Sequence, residues 1–307
     1  MISAVIPTHN RLEKLKKTLA SAEKQTLAKE RFEVLVVDDG SSDGTREFME
    51  KVFSSNKICW RYFFLEHGGP AKARNFGIEK SEGEVVFFCG DDTLWDERLM
   101  EWHFNHHQES QSALLGLALW DETEPVSDFM RYLAPAGPQF HYNTIRNRSD
   151  AGFDHFYTCN ISLKKKWLAQ EQFDSRFTLA AFEDIEMGLR LEKRGLKIAY
   201  QPEAKVYHSH YFQEETFGQR MENLGRSLVI FVEKYSHQPE VRFRLKLKYA
   251  PFWFFPGIKV FVFLSRILGE SSLLEKINRR WHWFWRIAFF YSQGILKGLE
   301  EKIGKRG

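Results

Sequence analysis

Four stretches of the chain set acids or imidazoles where chemistry could use them. VVFFCGDDT (85–93) ends an apolar run on Gly90, Asp91 and Asp92, and FEVLVVDDG (32–40) ends another on Asp38, Asp39 and Gly40. AFEDIEMGLRLEKRG (181–195) puts Glu183 and Asp184 at the head of a helical pattern, and VYHSH (206–210) alternates His208 and His210 around Ser209. Adjacent carboxylates at a strand end are either a turn corner or a meeting place for phosphate and a hard cation. Such a cation takes few carboxylates and completes its shell with phosphate oxygens and water. Acids at a helix start answer the helix dipole, yet a carboxylate there can also take a proton from a hydroxyl. On a strand, His208 and His210 point to the same side.

These groups need elements that bring them together. SAVIP (3–7), FEVLVVDDG (32–40), RYFFLE (61–66) and EVVFFCGDD (84–92) are short apolar runs, as expected of strands. Between them, RLEKLKKTLASAEKQ (11–25) spaces Leu12, Leu15 and Leu19 for a helix, SSDGTREFMEKVF (41–53) opens with capping residues, and GGPAKARNFGIEKS (68–81) enters a helix through glycines. Alternating strands and helices with fully apolar strands predict an α/β, doubly wound, mostly parallel sheet covered on both faces. Ligands in such sheets lie beyond the carboxyl ends of the strands, which puts Thr8, Asp39 and Asp92 on one rim. Farther on, a helix over 181–195 ends at Gly195, followed by one strand at LKIAYQ (196–201) and another at AKVYHSH (204–210).

The 307 residues suffice for one large domain or a domain with an appendage. Three cysteines, Cys59, Cys89 and Cys159, have no paired spacing, so neither a disulfide framework nor a zinc site is expected. MISAVIPTHN enters a strand-like run at once, with no basic n-region or long apolar stretch of a signal peptide. The net charge of +3 hides a segregation, since residues 241–307 hold 14 Lys and Arg against 4 Asp and Glu. The expected organisation is a sheet domain over 1–237 and a helical, basic and aromatic region over 238–307.

In order and spacing, VIPTHNR, VVDDGSSDGT, AKARNFG, GDD, FEDIEMGLRL and VYHSH resemble a family 2 glycosyltransferase of the GT-A fold, over roughly residues 2–210. The resemblance implies a nucleotide-diphospho-sugar donor and a divalent cation, Mg²⁺ or Mn²⁺. It implies that Asp39 accepts from the nucleotide base, with Pro7, Thr8 and His9 as the facing wall and Arg74 near the nucleotide. A lone carboxylate can read an imide N–H, which favours a uracil or thymine nucleotide. Asp92 takes the metal role, and His208 is a further ligand. The family's Asp-x-Asp is Gly-Asp-Asp here, so Asp91 or His208 must compensate for Gly90. Asp184 is implied as the base of an inverting transfer, with Glu183 orienting the acceptor or its loop, while Glu186 and Arg190 are spaced for an i,i+4 pair. The Gly90 departure also motivates the alternative of a catalytically silent nucleotide-sugar-binding scaffold. Trp95, just past the acids, is the first candidate to stack on a sugar.

VRFRLKLKY (241–249) alternates charged and apolar residues, and segments 251–269 and 279–298 are intensely aromatic. Pro256, Lys259 and Arg266 interrupt the first segment and Arg286 and Gln293 the second, so helices lying in a headgroup layer are expected rather than spanning ones. A helical appendage packed on the catalytic domain or on a second subunit is the other reading, and an oligomer is compatible with either. The aromatic density exceeds what phosphate tracking needs, so no nucleic acid partner is expected. Together these features predict transfer to a lipid-linked or polysaccharide acceptor, a glycan or glycolipid, at the cytoplasmic face of a membrane.

Overall fold

A computed structural model of the chain describes residues 1–52, 58–178, 182–235, 237–238 and 258–304. They belong to two compact units: Met1–Thr178 with Glu183–Tyr211, and the chain from Phe212 onward with Phe182. VRFRLKLKY (241–249) lies outside the described residues.

The first unit is built on strands β1 (Ile2–Thr8), β2 (Phe32–Asp38), β3 (Cys59–Phe64), β4 (Val85–Cys89), β5 (Thr93–Trp95), β6 (Ala113–Trp120), β7 (Asn160–Lys164) and β8 (Ile198–His208). Its helices are α1 (Leu12–Ala22), α2 (Thr45–Val52), α3 (Pro70–Lys80), α4 (Leu99–Glu109), α5 (Asp128–Leu133) and α6 (Glu183–Lys193). The strands form one sheet in the order β3-β2-β1-β4-β7-β6-β8-β5. β3, β2, β1 and β4 run parallel, whereas β7 is antiparallel to β4 and β6, and β5 to β8. Every residue of β2 and β4 is buried, as expected of strands covered on both faces. On α1, Leu15, Thr18, Leu19 and Ala22 form the buried stripe.

The α/β architecture with a helical C-terminal extension is thus the observed one. The two strands expected within 196–210 are a single strand, β8, whose pairing with β6 shifts register at Gly116/Leu117. This irregularity absorbs Pro202, which cannot donate to a regular ladder.

Strand order reverses at β1, which lies between β2 and β4, and this opens the crevice where such sheets bind ligands. Parallel register sets Thr8 beside Asp38, while Gly90, Asp91 and Asp92 follow the end of β4 on the other flank. At the far edge, His208 pairs with both Trp120 of β6 and Thr93 of β5, which returns it to the residues just after Asp92.

The second unit holds helices α7 (Glu214–Tyr235), α8 (Ile258–Gly269), α9 (Ser272–Ile277) and α10 (Arg279–Gly304). α10 packs against both α7 and α8. A side chain on Gly294 would run into the Glu222 carbonyl, and one on Gly225 into the Tyr291 carbonyl, so glycine on both helices lets the backbones touch. Glu214 accepts from Trp283 Nε1 at 2.9 Å and pairs with Arg286 at 3.0 Å, and Lys297 pairs with Glu222 at 2.7 Å. The contact-defined division falls between Tyr211 and Phe212, ahead of the 237/238 position where the composition changes. Helix α7 is compositionally ordinary but packs with the basic, aromatic helices.

Candidate active site

The end of β4 is held from both sides. Thr18 of α1 donates to the Asp91 carbonyl at 2.9 Å, and the Ser209 amide donates to the Asp92 carbonyl at 2.9 Å. The Asp91 side chain turns toward β1, where it accepts from Thr8 Oγ1 at 2.8 Å. Burial and the neighbouring Asp92 charge push the Asp91 carboxyl up to about 6, against the pull of Arg11 and Thr8.

Asp92 faces the other way. Its two oxygens stand 3.6 Å from His208 Nδ1 and 3.7 Å from His210 Nδ1. The amide of Ser209, tied to the Asp92 carbonyl, sets the two flanking imidazoles around one carboxylate. Burial alone would raise the Asp92 carboxyl, but His208 first, then Arg11 and His210, hold it well below the usual range. The His208 ring stacks on Phe140 at 5.5 Å, its buried Nε2 has no hydrogen-bond partner, and Lys14 Nζ lies 2.6 Å from His210 Nδ1. The 3.6 Å separation of Asp92 and His208 exceeds a hydrogen bond and suits two ligands of one small cation. Gly90 also has a local reason: a Cβ there would come within 2.8 Å of Asp92 Oδ1. An acid at position 90 would displace the carboxylate it was meant to assist.

Asp39 is nearly buried, and the loop before α3 occupies its carboxylate. The amides of Gly68 and Gly69 donate to it at 2.8 Å each, and His67 Nδ1 lies 2.9 Å away. The expected base acceptor is therefore the clamp of the 67–69 loop in this structure, and a base would have to share it. His9 donates through Nδ1 to the Asp39 carbonyl at 2.7 Å, and its ring stacks on His67 at 4.3 Å. His9, Asp39 and His67 each present a ligand atom within 4.8 Å of the others, a second cluster that could hold a divalent cation. Two imidazoles and one carboxylate suit a borderline metal better than Mg²⁺. Neighbouring Asp38 is structural, accepting from Tyr62 and the Ser41 amide. Pro7 lies in β1, with Thr8 and His9 following it onto the rim.

Arg74 of α3 meets Glu183 at the start of α6 with a separation of 2.9 Å, and this pair is almost fully buried. Arg74 Nε and Glu183 Oε2 remain unpaired within the buried site. Asn75, beside it, clamps the backbone of Phe173 through both its carbonyl oxygen and its amide. Asp184 is only partly covered. Burial, then the adjacent Glu183 charge, pushes its carboxyl up to about 7, although Arg74 and the amides of Ile185 and Thr158 act against the rise. Burial thus outweighs the helix N-terminus, which would otherwise favour the ionised form. Cys159 feels both Asp184 and Asp92, and burial followed by these two charges raises its thiol.

Several residues had no role in the sequence reading. Arg11 bridges Asp91 and Asp92 with one nitrogen, at 3.1 and 3.0 Å. Its signal was present in VIPTHNR, one residue past a loop asparagine. Phe140 carries no motif and reaches His208 through tertiary packing. Trp95 is a correction: it is buried and packs edge-on against Phe87 at 5.6 Å, so it is core and no sugar platform. Glu186 and Arg190 form the i,i+4 pair at 2.9 Å.

A mixed sheet whose parallel strands carry carboxylates at the switch point, with an acid pair heading a facing helix, is the architecture of nucleotide-diphospho-sugar transferases of the GT-A fold. Residues 3–170 match the Glycosyl transferase family 2 profile, and the chain belongs to that family. The poly(ribitol-phosphate) beta-glucosyltransferase of Bacillus spizizenii is 26% identical over 233 residues, 67% of this chain and 35% of that protein. The validoxylamine A glucosyltransferase of Streptomyces hygroscopicus is 30% identical over 232 residues, 66% of this chain and 54% of that protein. The chain therefore spans between about a third and about half of these curated relatives' length. Among solved structures, the mannosyltransferase PcManGT of Pyrobaculum calidifontis, in complex with GDP-Man and Mn²⁺, superposes with a TM-score of 0.61 at 16% identity, covering 98% of this chain and 87% of that one. S. aureus TarS 1-349 in complex with UDP gives 0.54 at 19% identity, covering 98% and 91%.

Proposed function

We propose that the protein is an inverting glycosyltransferase that moves a sugar from a nucleotide-diphosphate donor to an acceptor hydroxyl. The observation that carries this reading is the division of labour among the carboxylates. Asp92 is held ionised between two imidazoles, while Asp184 has its carboxyl raised to about 7. Two acids whose surroundings push them apart suit one to a cation and the other to proton transfer.

Asp92 and His208 would hold a divalent cation, Mg²⁺ or Mn²⁺, with His210 beside them. That ion would supply positive charge against the departing nucleotide diphosphate. Asp184 takes the proton from the acceptor hydroxyl as that oxygen attacks the anomeric carbon, and a carboxyl poised near neutrality is suited to this. Glu183 holds Arg74, whose unpaired Nε remains available to a donor oxygen. Thr8 and Asp91 form the rim on the β1 side, and Asp39 with His9 forms the base end. A carboxylate already fed by two amides favours a base that offers a single imide N–H, so uridine and thymidine diphospho-sugars are the first donors to try. The acceptor is a glycan or glycolipid presented at a membrane face, where the basic, aromatic C-terminal helices would hold the enzyme.

Arg11 motivates a second reading. A guanidinium already neutralising Asp91 and Asp92 is what a cation-free nucleotide-sugar-binding protein would contain. Incubating purified protein with a panel of nucleotide sugars, with and without Mn²⁺, separates the two. Release of nucleoside diphosphate that stops on chelation supports the transferase, and nucleotide binding without turnover supports the scaffold.

A further inference from the structure

Between Val262 and Gly269, helix α8 turns large apolar side chains outward beside Arg266. Val262, Ser265 and Gly269, spaced three and four apart, are buried against the unit, while Phe263, Leu264 and Ile267 face outward. A helix at a protein–water boundary turns mostly polar residues outward, so an outer face made of Phe263, Leu264 and Ile267 calls for a neighbour other than water. The exposed apolar surface continues through α9 into the first turn of α10 as Leu273, Ile277 and Trp281, with Phe263 62% and Ile277 71% exposed. Six large apolar side chains across these short, consecutive elements exceed the scattered exposure of an ordinary surface.

Four cations interleave with them. Arg266, Lys276, Arg279 and Arg280 are exposed on the same stretch, against Glu270 and Glu275. Arg266 is paired with Glu270 at 3.0 Å, and Arg279 lies over the Trp283 ring at 5.2 Å. Apolar side chains with a terminal tryptophan and flanking Lys and Arg form the pattern of a helix seated at the headgroup boundary. Among the described residues no helix is long and apolar enough to cross a membrane, so the fitting geometry is a face laid on the bilayer.

We propose that the outer face of α8, α9 and the start of α10, centred on Phe263, Ile267, Ile277 and Trp281, docks the protein on an anionic lipid bilayer. Charge selects this occupant. With Glu270 and Glu275 offsetting two of the four cations, the face keeps a net positive charge, and a second copy joined through it would set like charge against like. An anionic headgroup layer satisfies them, and the acyl region receives the side chains that water does not. The use of this face, bringing a lipid-linked acceptor to the sheet domain, rests on the glycosyltransferase reading, while the docking itself does not.

Flotation of the full-length protein with phosphatidylcholine vesicles, with and without phosphatidylglycerol, tests the proposal. Binding is expected only to the anionic vesicles. Replacing Lys276, Arg279 and Arg280 by Gln should weaken it roughly a hundredfold. Replacing Ile277 and Trp281 by Glu should weaken it at least about tenfold, with circular dichroism unchanged because these side chains are exposed. Absence of vesicle binding, equal binding to both vesicle types, or a stable dimer that the Ile277→Glu change dissociates would each overturn it. Nucleotide-sugar turnover on the same samples keeps the two readings apart. Turnover without vesicle binding removes the docking face alone, and vesicle binding without turnover removes the enzyme alone.

Discussion

Arg11 reaches Asp92 at 3.0 Å with the same nitrogen that touches Asp91 at 3.1 Å. The guanidinium is therefore the internal counter-ion of the acidic strand end, and a divalent cation bound at Asp92 as proposed would have to share that carboxylate with it or displace it. Arg11→Met should raise the affinity of the donor-free protein for Mn²⁺ by roughly tenfold, read by the loss of the free-ion electron spin resonance signal. The same variant should lose about 1 kcal/mol of stability, because two like charges lose their shared partner, and Mn²⁺ should restore it. Unchanged or weaker Mn²⁺ binding would show that Arg11 does not compete for the site.

As the proposed base, Asp184 would link turnover to pH and stability. With its carboxyl raised from 3.8 to about 7, the folded protein keeps a proton that the unfolded chain releases. Nothing is lost below about pH 4, where both states are protonated. Stability then falls by up to about 1.4 kcal/mol per pH unit until about pH 7, where the cost levels off. Asp184→Asn should therefore melt higher than the parent at pH 8 and equally at pH 4, while turnover drops at least about a hundredfold. Parental turnover should rise toward pH 7 and then flatten. Near-parental activity in the Asn variant would remove Asp184 as the base.

His103 and His107 lie buried behind the site, and both reach Ser162 Oγ, at 2.7 and 2.8 Å, while His103 also donates to Asn160 at 3.0 Å. Burial pushes both imidazoles down to about 3. Their contribution to stability is complete above pH 6.5 and is lost as pH falls toward 3, by up to about 1.4 kcal/mol per unit for each ring. Urea midpoints should fall from pH 6.5 to pH 4, and His103→Gln, which can retain hydrogen bonding, should make that slope shallower. An identical slope in the variant would assign the acid sensitivity elsewhere.

The contact between α7 and α10 predicts a packing effect. Gly225→Leu would drive a side chain into the Tyr291 carbonyl, forcing the helices apart at a cost of about 3 kcal/mol or more. The expected result in a thermal melt is early unfolding of the C-terminal helices. An unchanged melting profile would mean that these two helices do not touch as described.

The strands β1, β2 and β4 were legible because each is a short, largely apolar run closed by Pro7 in β1 and by acids and glycine in β2 and β4. Asp39, Asp92 and Thr8 followed directly, since strand direction in a parallel sheet fixes which end carries the rim. Trp95 was misjudged because adjacency to Asp92 says nothing of side-chain direction, and in β5 the indole turns into the core. Asp184 was placed at the head of a helix, where α6 carries it, but its ionisation balance was not legible, because the depth of its surroundings depends on residues distant in sequence. Arg11 was visible only as part of a motif. Its bridging of two carboxylates requires the start of α1 to lie over the end of β4, which hydrophobic periodicity does not report.

The pairing of His208 with Thr93 and Trp120 has a consequence for biosynthesis. A ribosome just past β4 has already made both rim carboxylates, yet the imidazoles flanking Asp92, His208 and His210, come only at and just after the end of β8. Until that strand is threaded between β6 and β5, the nascent chain carries these acids with Arg11 as their companion and lacks the imidazoles of the proposed cation site. The proposed cation site at Asp92 can therefore be completed only once nearly the whole sheet has closed.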